Sequence, residues 1–160
     1  MRTWLRDVVV GLNLCPFAAT PLRAGRVRLA VSEASDLGAA LMDLAREADA
    51  LHAGEADTTL LLLPGAPDFE TFVAWTEDGE DLLVEDGLQV VPFHPDFRFA
   101  DSDPSDPANA VNRSPVALWH LLQAEQVAAV IEAHPDIASI PERNAQVLRE
   151  LAAGGEWSGS

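Results

Sequence analysis

Three short apolar runs, "RVRLAV" (26–31), "DTTLLLLPG" (57–65) and "LQVVPFHP" (88–95), are separated by two stretches of helical periodicity. This spacing constrains the fold more than any other feature of the chain. The first run alternates Val27, Leu29 and Val31 with polar or small residues, the pattern of a half-buried strand. The second is continuous and stopped by Pro-Gly, the pattern of a buried strand. Between them, from about Ser35, the residues Leu37, Leu41, Leu44, Ala48 and Leu51 share one helical face. Residues 67–84 read as a second helix, although Gly79 and the acids around it interrupt the pattern. Strands alternating with helices favour a largely parallel sheet with right-handed crossovers. The expected fold is therefore α/β, a two-layer sandwich with a βαβαβ core, an N-terminal helix and a C-terminal helical segment.

The flanking segments carry their own signals. Trp4, Leu5, Val8, Val9 and Leu12 form an amphipathic stripe over 2–12, ending near Asn13 and before Cys15-Pro16. After the polar loop 101–112, Ser114-Pro115 is expected to open a helix that contains His120, with serine as N-cap and proline at the first position. A further helix over 125–134 carries the stripe Val127, Val130, Ile131 toward the interior at His134 and is ended by Pro135. Ser139 and Glu142 form a capping box for the last helix, which stops at Gly154-Gly155. One globular domain is expected over 1–155, followed by a loose tail at 156–160.

Composition narrows the chemistry. The 26 acidic residues outnumber ten basic ones, all arginine, for a formal charge of −16. Such a surface repels nucleic acid and anionic membranes, so neither is an expected partner. With no lysine and no tyrosine, Schiff-base, P-loop-lysine and tyrosine acid–base mechanisms are excluded. A single cysteine rules out an internal disulfide. No apolar run approaches the roughly 18–20 residues of a membrane span. The Arg-flanked start is interrupted by Asp7 and lacks a small-residue cleavage site, so it reads as part of the fold, and a cytoplasmic location is expected.

What remains is Cys15, four histidines, carboxylates, arginines and hydroxyls. Two histidines begin the same triplet, His94-Pro95-Asp96 and His134-Pro135-Asp136. Proline holds the preceding residue extended and aspartate suits a cap or turn, so either triplet alone has a structural explanation. A histidine placed like His120 is more often a hydrogen-bonded packing residue than a ligand. An isolated cysteine is most often a small buried hydrophobe. Asp101, Asp103 and Asp106 lie in a loop without the Asp-Gly turn and terminal glutamate of an EF-hand.

Four motifs, "GLNLCPFA" (11–18), "FHPDFRFA" (93–100), "NRSPVALWHLL" (112–122) and "AHPDIASIPERN" (133–144), occur in one order and spacing. Together they resemble the bacterial family called domain of unknown function 1415, over nearly the whole chain. The resemblance implies no activity, but it does imply matching positions: Asn13, Cys15, Pro16, His94, Asn112, Arg113, Ser114, His120, His134 and Pro135. This chain departs from the family at Phe97, where a tyrosine is common, and at Gln123-Ala124-Glu125, where an arginine is frequent. Arg113 is then the best anion ligand.

On this basis Cys15 and His94 are expected to converge with one or both of His120 and His134. Three readings stay open. In the first, a metal-dependent enzyme holds a single transition-metal ion (zinc, iron or copper) on Cys15, His94 and His134. Asp96 or Glu142 would act as base or orienter, and a small anionic substrate would meet Asn13, Asn112, Arg113, Ser114 and His120. In the second, Cys15 is a metal-free nucleophile with His94 as base, oriented by Asp96 or Asn13. In the third, a non-catalytic module binds a small anion or a protein through Asn112, Arg113, Ser114 and Arg143.

Overall fold

The computed structural model describes residues 1–134 and 136–155. Pro135, expected to end a helix, and the expected tail at 156–160 lie outside the described residues. The chain opens with α1 (Arg2–Trp4), which continues as a π-helix over Leu5–Val10, and then a short α2 (Ala19–Arg23). The central elements match the sequence reading: β1 (Val27–Val31), α3 (Leu37–His52), β2 (Thr58–Leu62), α4 (Phe69–Leu83) and β3 (Leu88–Phe93). A 3-10 helix at Pro107–Asn112 precedes β4 (Leu118–Gln123), and α5 (Ala124–Ala133) and α6 (Ile140–Ala153) follow.

β4 is the main departure from expectation, because the segment after Ser114-Pro115 is a strand and not a helix. Its physical reason is burial on both faces. Ala117, Trp119 and Leu121 face α3 and α4, while Leu118 faces the other side of the sheet. A central strand has no polar face, and a continuous apolar run cannot be told from a helix by periodicity. Ser114 caps no helix, since its hydroxyl donates to the carbonyl of Val116 at 2.6 Å. The sheet order is β1-β2-β4-β3, with β1 and β2 parallel and β4 antiparallel to both its neighbours.

The larger core lies between this sheet and the α3–α4 layer. Asp36 and Asp68 cap those helices by accepting the N–H groups of Ala39 and Thr71. Gly79 interrupts the helical pattern of α4 for a packing reason: a Cβ there would lie 3.0 Å from Leu44 Cδ2 of α3. Trp119 is fully buried, stacks on Phe72 with centroids 6.0 Å apart, and donates its indole N–H to Thr76 Oγ1 at 2.9 Å. Arg28 of β1 holds the buried Glu47 of α3 at 2.6 Å. On the opposite face, Trp4 and Leu5 cover Leu60 and Leu118, so the N-terminal helix closes the second side of the sheet.

Two C-terminal expectations need correction. The stripe of α5 does not enter the core: α5 has no buried residue, and Ile131 is 49% exposed. Ser139 does not cap α6 either, because a 3-10 turn (Ile137–Ser139) runs straight into that helix and the Ser139 hydroxyl folds back to the carbonyl of Asp136. α6 is fastened instead through Leu148, which packs with Leu14 and Ala110. Among the described residues no helix is long and apolar enough to cross a membrane.

Candidate functional site

The first and fourth motifs meet. At the end of the π-helix, Gly11 N–H reaches Arg6 O and Leu14 N–H reaches Val9 O, both at i−5 spacing. A Cβ on Gly11 would collide with the carbonyl oxygen of Asp7, so only glycine permits this tight exit. Asn13 then takes a left-handed φ of 54°, a conformation asparagine tolerates better than most residues. Wide helical turns of this kind recur at functional sites. They aim the loop 13–17, which carries the half-buried Cys15, toward α6.

α6 answers from its first turns. The Arg143 guanidinium donates through Nη2 to the carbonyl of Asn13 and to Asn144 Oδ1. The buried Asn144 donates its amide to Leu14 O at 2.7 Å. On the other flank of Cys15, the Phe17 ring meets the His134 imidazole edge-on, with centroids 5.5 Å apart. Two atoms are left over: His134 Nδ1 and Arg143 Nε are buried without a hydrogen-bond partner among the described residues. The third such atom, Thr59 Oγ1, lies in the sheet.

Charge singles out the same arginine. Arg6, Arg26, Arg28, Arg46, Arg98 and Arg149 each pair with a carboxylate. Of the other four, Arg2 and Arg23 are exposed, whereas Arg113 and Arg143 are half-buried and held by neutral oxygens. Arg113 spends its donors on the carbonyls of Phe97 and Pro104, stapling the loop before the 3-10 helix. Arg143 keeps its Nε unmatched.

The second and third motifs form a separate cluster. Buried His94 lies against Phe69 and Phe72, with ring centroids 5.6 and 5.4 Å away. Its Nδ1 accepts the N–H of Asp96 at 3.0 Å, while the exposed Asp96 carboxylate stays 4.0 Å from that nitrogen. A ring whose Nδ1 accepts carries its neutral-state hydrogen on Nε2, so His94 presents a donor and not a free lone pair. Asn112 ties this cluster to β3, accepting from His94 N–H at 3.2 Å and donating to Pro92 O at 3.1 Å.

His120 stands on β4 and joins neither cluster as a ligand. Its Nε2 donates to Thr58 Oγ1 at 2.7 Å, and that hydroxyl in turn donates to Leu121 O. Burial pushes its pKa down to about 4, so the ring is neutral near pH 7. Ser114 is buried and bonded within its own turn, and Glu142 is exposed. Among the described residues no group of three or more His, Cys, Asp or Glu side chains is placed to hold a metal ion, so Cys15, His94 and His134 are not gathered into one ligand set. Two of the three aspartates in the loop 101–112 are also engaged: Asp103 accepts from Ser105, and Asp106 accepts from Arg149 and Ala108.

A family model described as a protein of unknown function, DUF1415, matches residues 1–157 and so spans all four motifs. The chain belongs to the DUF1415 family. No curated protein and no solved structure matches it. Within this DUF1415 chain, sequence reasoning flagged Cys15, Asn13 and His134, and counted Arg143 only as part of an alternative binding surface. It missed Phe17 and Asn144. The available signal was the arginine-asparagine pair closing "IPERN" in the fourth motif, a cation beside an amide one turn into a helix.

Proposed function

We propose that the loop 13–17, His134, Arg143 and Asn144 form the working site of this protein. The site takes a small molecule bearing a carboxylate or phosphate and uses Cys15 as a nucleophile for acyl transfer or hydrolysis. One observation carries the reading: among the described residues, two of the three buried, unpartnered side-chain atoms belong to His134 and Arg143, the residues that grip the loop on either side of Cys15. Buried polar groups are nearly always satisfied, so two orphans on the residues that hold the loop of Cys15 are best explained by a ligand that satisfies them.

The roles follow from chemistry. Arg143, with no carboxylate partner, supplies the fixed positive charge for the anionic group. His134 accepts the proton of the Cys15 thiol. The thiolate attacks the acyl carbon to give a thioester, the imidazolium returns the proton to the leaving group, and water or an acceptor then releases the acyl group. In this reading His134 replaces His94 as the base, because His94 Nδ1 already accepts a backbone hydrogen bond. Asn144 is a positioning residue that sets Leu14 and Arg143.

A second reading keeps a transition-metal ion (zinc, iron or copper), and it is favoured by the buried His134 Nδ1, which has no hydrogen-bond partner among the described residues. Cys15 and His134 would hold the ion, with the substrate anion completing its shell.

The test is protection of Cys15 from iodoacetamide at pH 7. In wild type, inorganic phosphate or acetate at millimolar concentration should slow alkylation, and Arg143→Gln should abolish that protection. Equal alkylation rates with and without anion in the wild type would overturn the anion site. Elemental analysis of the same protein decides the second reading, which requires about one metal ion per chain, lost in Cys15→Ala.

A further inference from the structure

The loop that carries Cys15 is held peptide by peptide. The carbonyl of Asn13 accepts from Arg143, and the N–H of the same peptide unit, on Leu14, bonds Val9 O at 2.9 Å. The next carbonyl, Leu14 O, accepts from the Asn144 amide at 2.7 Å. The one after it, Cys15 O, accepts the Ala18 N–H at 3.2 Å across a turn in which Pro16 has no N–H to place. Every backbone polar group from the Asn13 carbonyl to the Cys15 carbonyl is thereby engaged except one. The Cys15 N–H has no acceptor among the described residues.

That N–H is also aimed. A trans peptide is planar, so its C=O and N–H point in opposite directions. Because Asn144 draws Leu14 O toward α6, the Cys15 N–H of the same unit is turned away from α6. Asn144 is itself fixed. It is 3% exposed, and its Oδ1 accepts from Arg143 Nη2 at 2.6 Å. An arginine can only donate, so the amide presents its oxygen to Arg143 and its NH2 to Leu14 O. Flipping the Leu14–Cys15 peptide would put a carbonyl where the N–H now stands and strand the buried Asn144 amide without an acceptor.

We propose, resting on the reading of Cys15 as a nucleophile, that its own N–H receives the oxyanion of the acyl intermediate, and that Asn144 is the positioning residue that keeps this N–H outward. When the thiolate pair bonds the acyl carbon, the carbon–oxygen π pair moves onto oxygen, and the N–H of the attacking residue donates to that oxygen. The pair then returns, the bond from carbon to the leaving group breaks, and the leaving group takes the proton held by His134. A single N–H suits the one oxygen of an acyl group better than the three of a phosphoryl group. The reacting centre of the substrate is therefore an ester, thioester or amide, and any phosphate belongs to the end held by Arg143.

The test compares two reactions of the same thiol. Acylation by p-nitrophenyl acetate passes through an oxyanion, and alkylation by iodoacetamide does not. Both rates are measured at pH 7 on the full chain, with Cys15→Ala as background and a small-molecule thiol as reference. In wild type, the enhancement of acylation over the reference is expected to be about tenfold greater than that of alkylation. Asn144→Asp keeps the size and the Arg143 contact but turns the donor into an acceptor, which repels Leu14 O. It should cut acylation about tenfold and alkylation less than about twofold, and Asn144→Ala should show the same split. The wild-type ratio decides even where a variant fails to fold. Equal enhancement of both reactions in wild type, or equal loss of both in the two variants, would overturn the proposal while leaving Cys15 its base. A wild type that exceeds the reference in acylation alone would support the N–H and remove His134 from thiol activation. If neither rate exceeds the reference, both readings fall.

Discussion

At the scale of single residues, His120 and Gly11 carry separable consequences. His120 has a folded pKa of about 4, against an ordinary value of 6.5. Between those values the unfolded chain binds the extra proton and the folded one does not, so stability rises with pH through that window and is lost on acidification. From pH 7 to pH 5 the loss from this residue is about 2 kcal/mol. Carboxylates held low by hydrogen bonds, such as Asp68, Asp103 and Asp106, add their losses at lower pH, as the medium falls through their depressed pKa values. Urea unfolding at pH 7 and 5 should therefore show a smaller difference for His120→Gln than for wild type, and equal differences would contradict the assignment. Gly11→Ala places a methyl against the Asp7 carbonyl, a backbone group that cannot swing aside as a side chain could. It should cost about 2 kcal/mol or more in the same assay, far above an ordinary glycine-to-alanine change.

At the scale of elements, α5 and α6 invert what their sequences advertise. α5 reads as the more apolar of the two yet buries nothing, while α6 reaches the core through Leu148, which is 1% exposed. Ile131→Glu should leave stability within about 0.5 kcal/mol of wild type, and Leu148→Ala should cost about 2–5 kcal/mol, both read by thermal or urea unfolding. A large loss in Ile131→Glu would mean that the α5 stripe is covered after all. The elements legible in the sequence were those with one wet face or with clear Pro and Gly bounds. β1, α3 and α4 alternate polar and apolar residues at the period of their own geometry, and β2 and β3 are bounded by Pro and Gly signals. β4 was misread because Trp119, Leu121 and Ala117 are buried on one side and Leu118 on the other, which erases the period-2 pattern. The Ser139 cap failed for a different reason: a preceding 3-10 turn had already made that residue helical.

At the scale of the whole molecule, a mixed sheet is closed by α3 and α4 on one face and by the N-terminal helix on the other. A small third cluster of Leu14, Ala110 and Leu148 joins the N-terminal loop, the 3-10 helix and α6. That cluster brings the loop of the first motif under the helix of the fourth, across 130 residues of sequence between Asn13 and Arg143. Long-range convergence of this kind cannot be read from spacing, which is why the sequence reading grouped Cys15 with His94, whereas the fold brings the loop of Cys15 against His134 and Arg143. The four motifs divide into two clusters: Cys15 with His134 and Arg143, and His94 with Asn112, Phe69 and Phe72.

The central claim is that His134 serves the Cys15 thiol. Its most direct test is the rate of Cys15 alkylation by iodoacetamide across pH 5–9 in wild type and His134→Gln, with His94→Gln as the comparison and circular dichroism confirming the fold of each. The account predicts wild-type alkylation at pH 7 about tenfold faster than that of a free thiol, a comparable loss in His134→Gln, and little change in His94→Gln. A wild-type profile identical to that of a small-molecule thiol, or one that shifts with His94 and not with His134, would contradict it.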